Sequence, residues 1–150
     1  MLFLAVAVVA IVACAKSETG SADTAAMAAA PAPLTAADLD GTWSGVSMAE
    51  FSDSVTNRWT VFRGATESEV NLVVEGSKDT ITYTRTLDAD SLVAMSAPFT
   101  PPTPPKSPQV IVRSVGRLMG GKLVGTAVTM LAAKPDSVIS RGRWEATRLP

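Results

Sequence analysis

The chain has 150 residues and no histidine. That removes the commonest general base, the usual zinc ligand and every device in which an imidazole activates a serine or cysteine. It has one cysteine, Cys14, so no disulfide can close within it. An excess of either charge is also missing: 13 Lys and Arg stand against 14 Asp and Glu, a formal net charge of −1. Nucleic acid is therefore not an expected partner, because no basic field is available to meet phosphates. No stretch beyond the first residues carries a long helical stripe of apolar side chains. Asp79, Asp88 and Asp90 sit at turn positions without the spacing of a calcium loop, so neither a metal nor a cofactor is expected. Gly116, Gly120 and Gly121 do not precede a helix and make no phosphate cradle. Carboxylates or lysine could still catalyse in principle, but the absences favour a protein that is not an enzyme.

What is present begins with an apolar run. Leu2 to Ala13 carries no charge. It is short of the ~20 residues that a helix needs to span a bilayer. It has the length of the apolar core of a secretory signal. The run ends Ile11-Val12-Ala13-Cys14. This resembles the lipobox of bacterial lipoproteins: an aliphatic residue, small residues near the cut, then cysteine. The resemblance implies cleavage before Cys14, acylation of Cys14 as the lipidation site, and a membrane partner reached through that lipid. It implies a place in the bacterial cell envelope. Ala15 after the cysteine points to the outer membrane, facing the periplasm. The sequence departs from the pattern at its start, Met1-Leu2-Phe3, where Lys or Arg is expected. Either the true start lies upstream or this leading region is atypical. The other readings of the segment are an ordinary secretory signal or a short membrane helix with an incidental cysteine.

Three regions follow from this: a signal peptide at 1–13, a tether at 14–37 and a domain at 38–150. The tether is rich in Ala, Ser, Thr and Pro and has little to bury, so it is expected to be flexible. From Leu39 the texture changes to period-2 alternation rich in Val, Thr and Ile. Eight strands are expected, at Thr42–Met48, Arg58–Arg63, Glu69–Glu75, Asp79–Leu87, Ser91–Ala97, Gln109–Leu118, Lys122–Leu131 and Ser137–Leu149. Turns are expected at Gly76–Asp79, Asp88–Ser91, Gly120–Gly121 and Lys134–Ser137. Short strands at even spacing predict an all-β fold. It is a single antiparallel meander of about eight strands, closed or nearly closed as a barrel, with a β-sandwich as the alternative.

Gly41-Thr42-Trp43 opens the first strand. This Gly-x-Trp resembles the signature of lipocalins and related calycin-like β-barrels. The resemblance implies that Trp43 plugs one end of the barrel and stacks with an arginine of the last strand, here Arg148. It also implies a lumen able to hold an apolar or amphiphilic small molecule. Trp59, Tyr83 and Trp144 are then candidates to line it. The same three residues, with Phe62, Met95, Met119 and Met130, also read as ordinary core packing. Pro98 to Pro108 has six prolines in 11 positions and cannot be an interior strand. It reads as a stiff surface connection, or as a lid or partner-binding arm with Phe99 as its apolar tooth. The leading expectation is a lipid-anchored envelope protein with a small-molecule-binding barrel. The alternative is a structural or interaction lipoprotein that docks a partner through the proline arm or a sheet edge.

Overall fold

Alternation builds eight strands, and the odd–even phase of each strand decides what points inward. The computed structural model describes residues 33–101 and 107–150. The strands are β1 (Trp43–Ala49), β2 (Val55–Arg63), β3 (Glu69–Val74), β4 (Thr80–Asp88), β5 (Ser91–Ser96), β6 (Val110–Met119), β7 (Lys122–Leu131) and β8 (Lys134–Arg148). Each pairs antiparallel with its neighbour in sequence, and β1 pairs antiparallel with β8, from Trp43 opposite Arg148 to Ala49 opposite Gly142. The sheet is a closed barrel, so the sandwich alternative falls. Closure gives every strand a neighbour on both sides, although β8 runs on from Lys134 to Arg141 beyond its pairing with β1.

Glycines and bulges shape the wall. Trp59 of β2 lies opposite Gly45 of β1, and Trp144 of β8 lies opposite Gly125 of β7, which in turn faces Gly116 of β6. A β-carbon on Gly45 would sit 2.3 Å from the Trp59 ring, and one on Gly116 2.5 Å from the Trp144 ring. On Gly125 it would lie 2.6 Å from that ring and 2.2 Å from the Val115 carbonyl. The two indoles therefore occupy hollows that only glycine leaves open. Their ring centroids are 6.1 Å apart at 65°, an edge-to-face contact.

The chain entering β1 folds across one end of the barrel. A short 3-10 turn, Ala37–Leu39, carries Leu39 into a cluster with Leu34, Trp43, Leu123, Trp144 and Ala146. Leu34 is buried, and its N–H donates to the Ala89 carbonyl in the β4–β5 turn at 2.9 Å. The expected boundary at 37/38 thus falls inside a packed segment, because Leu34 already belongs to the core. Thr35 and Asp38 lock the turn. The Thr35 N–H and hydroxyl donate to the Asp38 carboxylate at 2.9 and 2.6 Å, and the Asp38 N–H donates back to the Thr35 hydroxyl at 3.4 Å.

Two other expectations are corrected. The last hairpin turns at Ala132–Ala133, not at Lys134–Ser137. Lys134 pairs with Leu131 and Val138 with Met130, so Pro135, Asp136 and Ser137 form a bulge inside β8. Proline without a donor and Asp-Ser with local hydrogen bonding suit a bulge as well as a turn. Phe62, Met95 and Met119, expected in the core, are exposed. Each lies out of phase with the inward residues of its strand. Phe62 alternates with Trp59 and Val61, and Met95 sits between buried Ala94 and Ser96.

Candidate functional site

The inward faces of the strands do not meet across the barrel. Eight strands enclose an interior just wide enough either to be filled by side chains or to hold one small ligand. Here Gly45, Gly116 and Gly125 pull the two indoles back against the wall, and Ala94, Ala127 and Ser114 add little volume. A cavity of about 700 Å³ results. It extends from Leu39 and Gly41 at the plugged end to Ala49, Thr129 and Ser140 at the other. Its lining is mainly aliphatic and aromatic, with Val61, Val70, Leu72, Val74 and Val112 only half-buried although they point inward. Among the described residues no large side chain is fully buried.

The structure brings Trp43 and Arg148 together. The Arg148 guanidinium carbon lies 5.0 Å from the centroid of the Trp43 ring. Such a contact contributes about 0.5–2 kcal/mol, depending on its exposure. Arg148 also donates to the Asp38 carbonyl, and the Trp43 indole N–H donates to the Leu39 carbonyl at 3.2 Å. Gly41 turns the chain under this stack with φ of 98°, a conformation that suits glycine. The Thr35 hydrogen bonds, joined by the nearby Arg148 charge, hold the Asp38 carboxyl below its usual range.

Trp59, Tyr83 and Trp144 all line the cavity, but their polar atoms differ. The Trp59 N–H donates to the Ser47 hydroxyl at 2.9 Å, and the Trp144 N–H to the Thr126 carbonyl at 3.1 Å. Tyr83 is 8% exposed, and burial pushes its phenol up to about 12. It packs with Ile81, Ala94, Leu72, Val112 and Phe99. Phe99 is fixed there by a two-way backbone bridge to Val110, at 3.0 and 2.8 Å. The proline segment therefore starts with its apolar tooth seated in the barrel, while its residues 102–106 lie outside the described residues. Cys14, the signal peptide and the tether as far as residue 32 lie outside them as well.

Comparison with protein-family models, with curated proteins and with solved structures finds no match to this chain.

The geometry is therefore the basis for function. Gly45, Gly116 and Gly125 seat the indoles, and the signal that could have found them is a glycine inside a strand, which marks a close backbone approach. Gly45 carries the same signal once its register opposite Trp59 is known. Of the acidic residues expected in turns, Asp79 and Asp90 lie between strands, and Asp88 is the last residue of β4. Asp90 pairs with Arg117 at 3.4 Å, and on the opposite rim Asp53 pairs with Arg143 at 2.8 Å. Both are surface pairs of small energetic weight.

Proposed function

We propose that this barrel is the ligand-holding domain of a lipid-anchored protein of the bacterial envelope, and that it binds an apolar or amphiphilic small molecule without catalysing its conversion. The observation that carries this reading is the unfilled lumen of about 700 Å³ with aliphatic and aromatic walls. That volume lies within the range of small-molecule pockets. Removing an apolar ligand from water against such walls contributes about 25 cal/mol per Å². The Trp43–Arg148 stack at one end supports the lipocalin-like reading, because a barrel of that kind is closed at one end by such a pair. Ile11-Val12-Ala13-Cys14 supports the anchor and the envelope location, with the outer membrane facing the periplasm as the proposed site.

The test is saturable binding of a neutral, environment-sensitive apolar dye, read by energy transfer from the lumen indoles. The expected result is about one site per chain that a substitution narrowing the lumen, Ala94→Phe, abolishes while the circular dichroism of the strands is kept. Dye uptake that does not saturate, or that Ala94→Phe leaves intact, would sink the ligand reading. The anchor is tested separately. Cys14→Ser should release the protein from membranes, and tight retention of the processed variant would count against acylation.

A further inference from the structure

Among the described residues that line the lumen, Ser114, Thr129 and Ser140 are polar but only partly buried or exposed, and one buried side chain carries a polar atom without a partner in the fold. The indole N–H groups of Trp43, Trp59 and Trp144 all donate within the fold, and the Ser96 hydroxyl accepts from the Val112 N–H at 2.8 Å. Among the described residues the Tyr83 hydroxyl has no hydrogen-bond partner, and the upward push on the phenol comes from burial alone. No side-chain polar atom among these residues is both sealed from solvent and unpartnered. The Tyr83 oxygen therefore opens onto the lumen.

We infer that the lumen selects an uncharged amphiphile, seated against the β3–β6 wall, whose carbonyl or ether oxygen accepts a hydrogen bond from the Tyr83 hydroxyl. The inference rests on the proposal that the lumen holds a ligand, and it adds the ligand's chemical class. Tyr83 sits on β4 between Val70 of β3 and Ser96 of β5, so it stands inside the wall, away from the rim. The Tyr83 hydroxyl is open to the lumen and committed to no acceptor of the fold, so a ligand oxygen can take its hydrogen bond without breaking one. The charged residues bordering the cavity are Asp40, Arg63, Arg85, Arg141 and Arg143. Arg85 is the nearest along the strand, and its Nε–H is directed to the Glu67 carbonyl at 3.0 Å. No cation contributes to the state of the Tyr83 phenol. A carboxylate brought to that hydroxyl would lose hydration without a paired charge, a larger cost than one hydrogen bond returns. A phenol raised to about 12 remains a donor at neutral pH.

The experiment uses three probes of equal chain length at neutral pH: a long-chain methyl ketone, the matching alkane and the matching carboxylic acid. Affinities are read by tryptophan fluorescence for the wild type and for Tyr83→Phe. The ketone should bind more tightly than the other two, and Tyr83→Phe should weaken it about fivefold while leaving the alkane unchanged. The carbonyl stretching band of the bound ketone should sit at the lower, hydrogen-bonded frequency in the wild type and move up in the variant. An equal loss for ketone and alkane, an unaffected ketone, or tighter binding of the carboxylate would overturn the inference while leaving a ligand-binding lumen standing. If no probe binds, the ligand-binding lumen itself fails and takes the inference with it. If Tyr83→Phe does not fold, the wild-type carbonyl band decides. A lowered band supports the hydroxyl contact, and an unshifted band overturns it.

Discussion

The barrel has two sides that share an alternation pattern and differ in what they leave over. The β1, β2, β7 and β8 side carries all three tryptophans' clusters, with Trp43, Trp59 and Trp144 packed on the plug and on glycine hollows. Every indole N–H there has an acceptor. The β3–β6 side carries Ile81, Tyr83 and Ala94 among half-buried aliphatic residues, with the Tyr83 hydroxyl turned to the lumen and given no acceptor by the fold. The first side spends its large residues on its own backbone, so it acts as scaffold. The second turns half-buried apolar surface toward the cavity, so under the proposed function it is the side that a guest would meet. Residue type alone would have suggested the reverse, since tryptophans are the more familiar ligand contacts.

The largest expected effect tests this contrast directly. Trp144→Ala should cost about 3–5 kcal/mol, because an edge-to-face partner, a hydrogen bond and two glycine hollows are emptied together. Leu72→Ala on the opposite side should cost about 1–2 kcal/mol, because Leu72 already borders open space and little new cavity is made. Denaturant midpoints of the two variants measure the difference. Equal losses would break the distinction between scaffold and guest side.

A smaller effect concerns the plug, which belongs wholly to the scaffold side. Asp38 has its carboxyl lowered in the folded state, first by its Thr35 hydrogen bonds and less by Arg148. Its contribution is therefore complete above the ordinary value of 3.8 and is lost as pH falls through the lowered folded-state value. Trp43 emission should shift first on acidification. Asp38→Asn should flatten that shift, while ketone or dye binding near Tyr83 changes little. Simultaneous loss of both signals would mean that the two sides open as one.

The smallest effect lies at the seam between them. Ala89 has φ of 52° in the two-residue β4–β5 turn, and its carbonyl accepts from Leu34. Ala89→Gly should relieve the left-handed strain and stabilise the barrel by about 0.5–1 kcal/mol, read as a raised thermal midpoint. A lowered midpoint would show that the strain is offset by a stiffer unfolded chain.

The strands were legible because alternation in segments such as Ile81–Tyr83–Arg85 is a local property. Closure was less local: alternation alone left barrel and sandwich open, and the pointer to a barrel was Gly41-Thr42-Trp43 with Arg148 in the last strand, residues that the β1–β8 pairing brings opposite each other. Phe62 could have been placed outside from its phase against Trp59 and Val61; counting it as core put hydrophobicity ahead of parity. Leu34 was missed for a different reason. An apolar residue among Ala and Pro gives no pattern, and only the pocket formed with Leu123 and Ala146 makes it core. Within the candidate site, Trp59, Tyr83 and Trp144 were named from size and aromatic character. The property that separates Tyr83 from the others depends on acceptors contributed by Ser47 and by the Thr126 carbonyl, and these appear only in three dimensions.

The pairing of β1 with β8 also sets an order of events. Seven strands in a row would present two bare edges, and both are consumed in a single step when β8 inserts between β7 and β1. Every early hairpin therefore forms on a structure that is still open to another chain, and folding of such non-local sheets is slow, on the order of milliseconds to seconds. Of the eight strands described, the one latest in sequence is the latch, and with its Arg148 stacked on Trp43 it engages the first strand and the plug together.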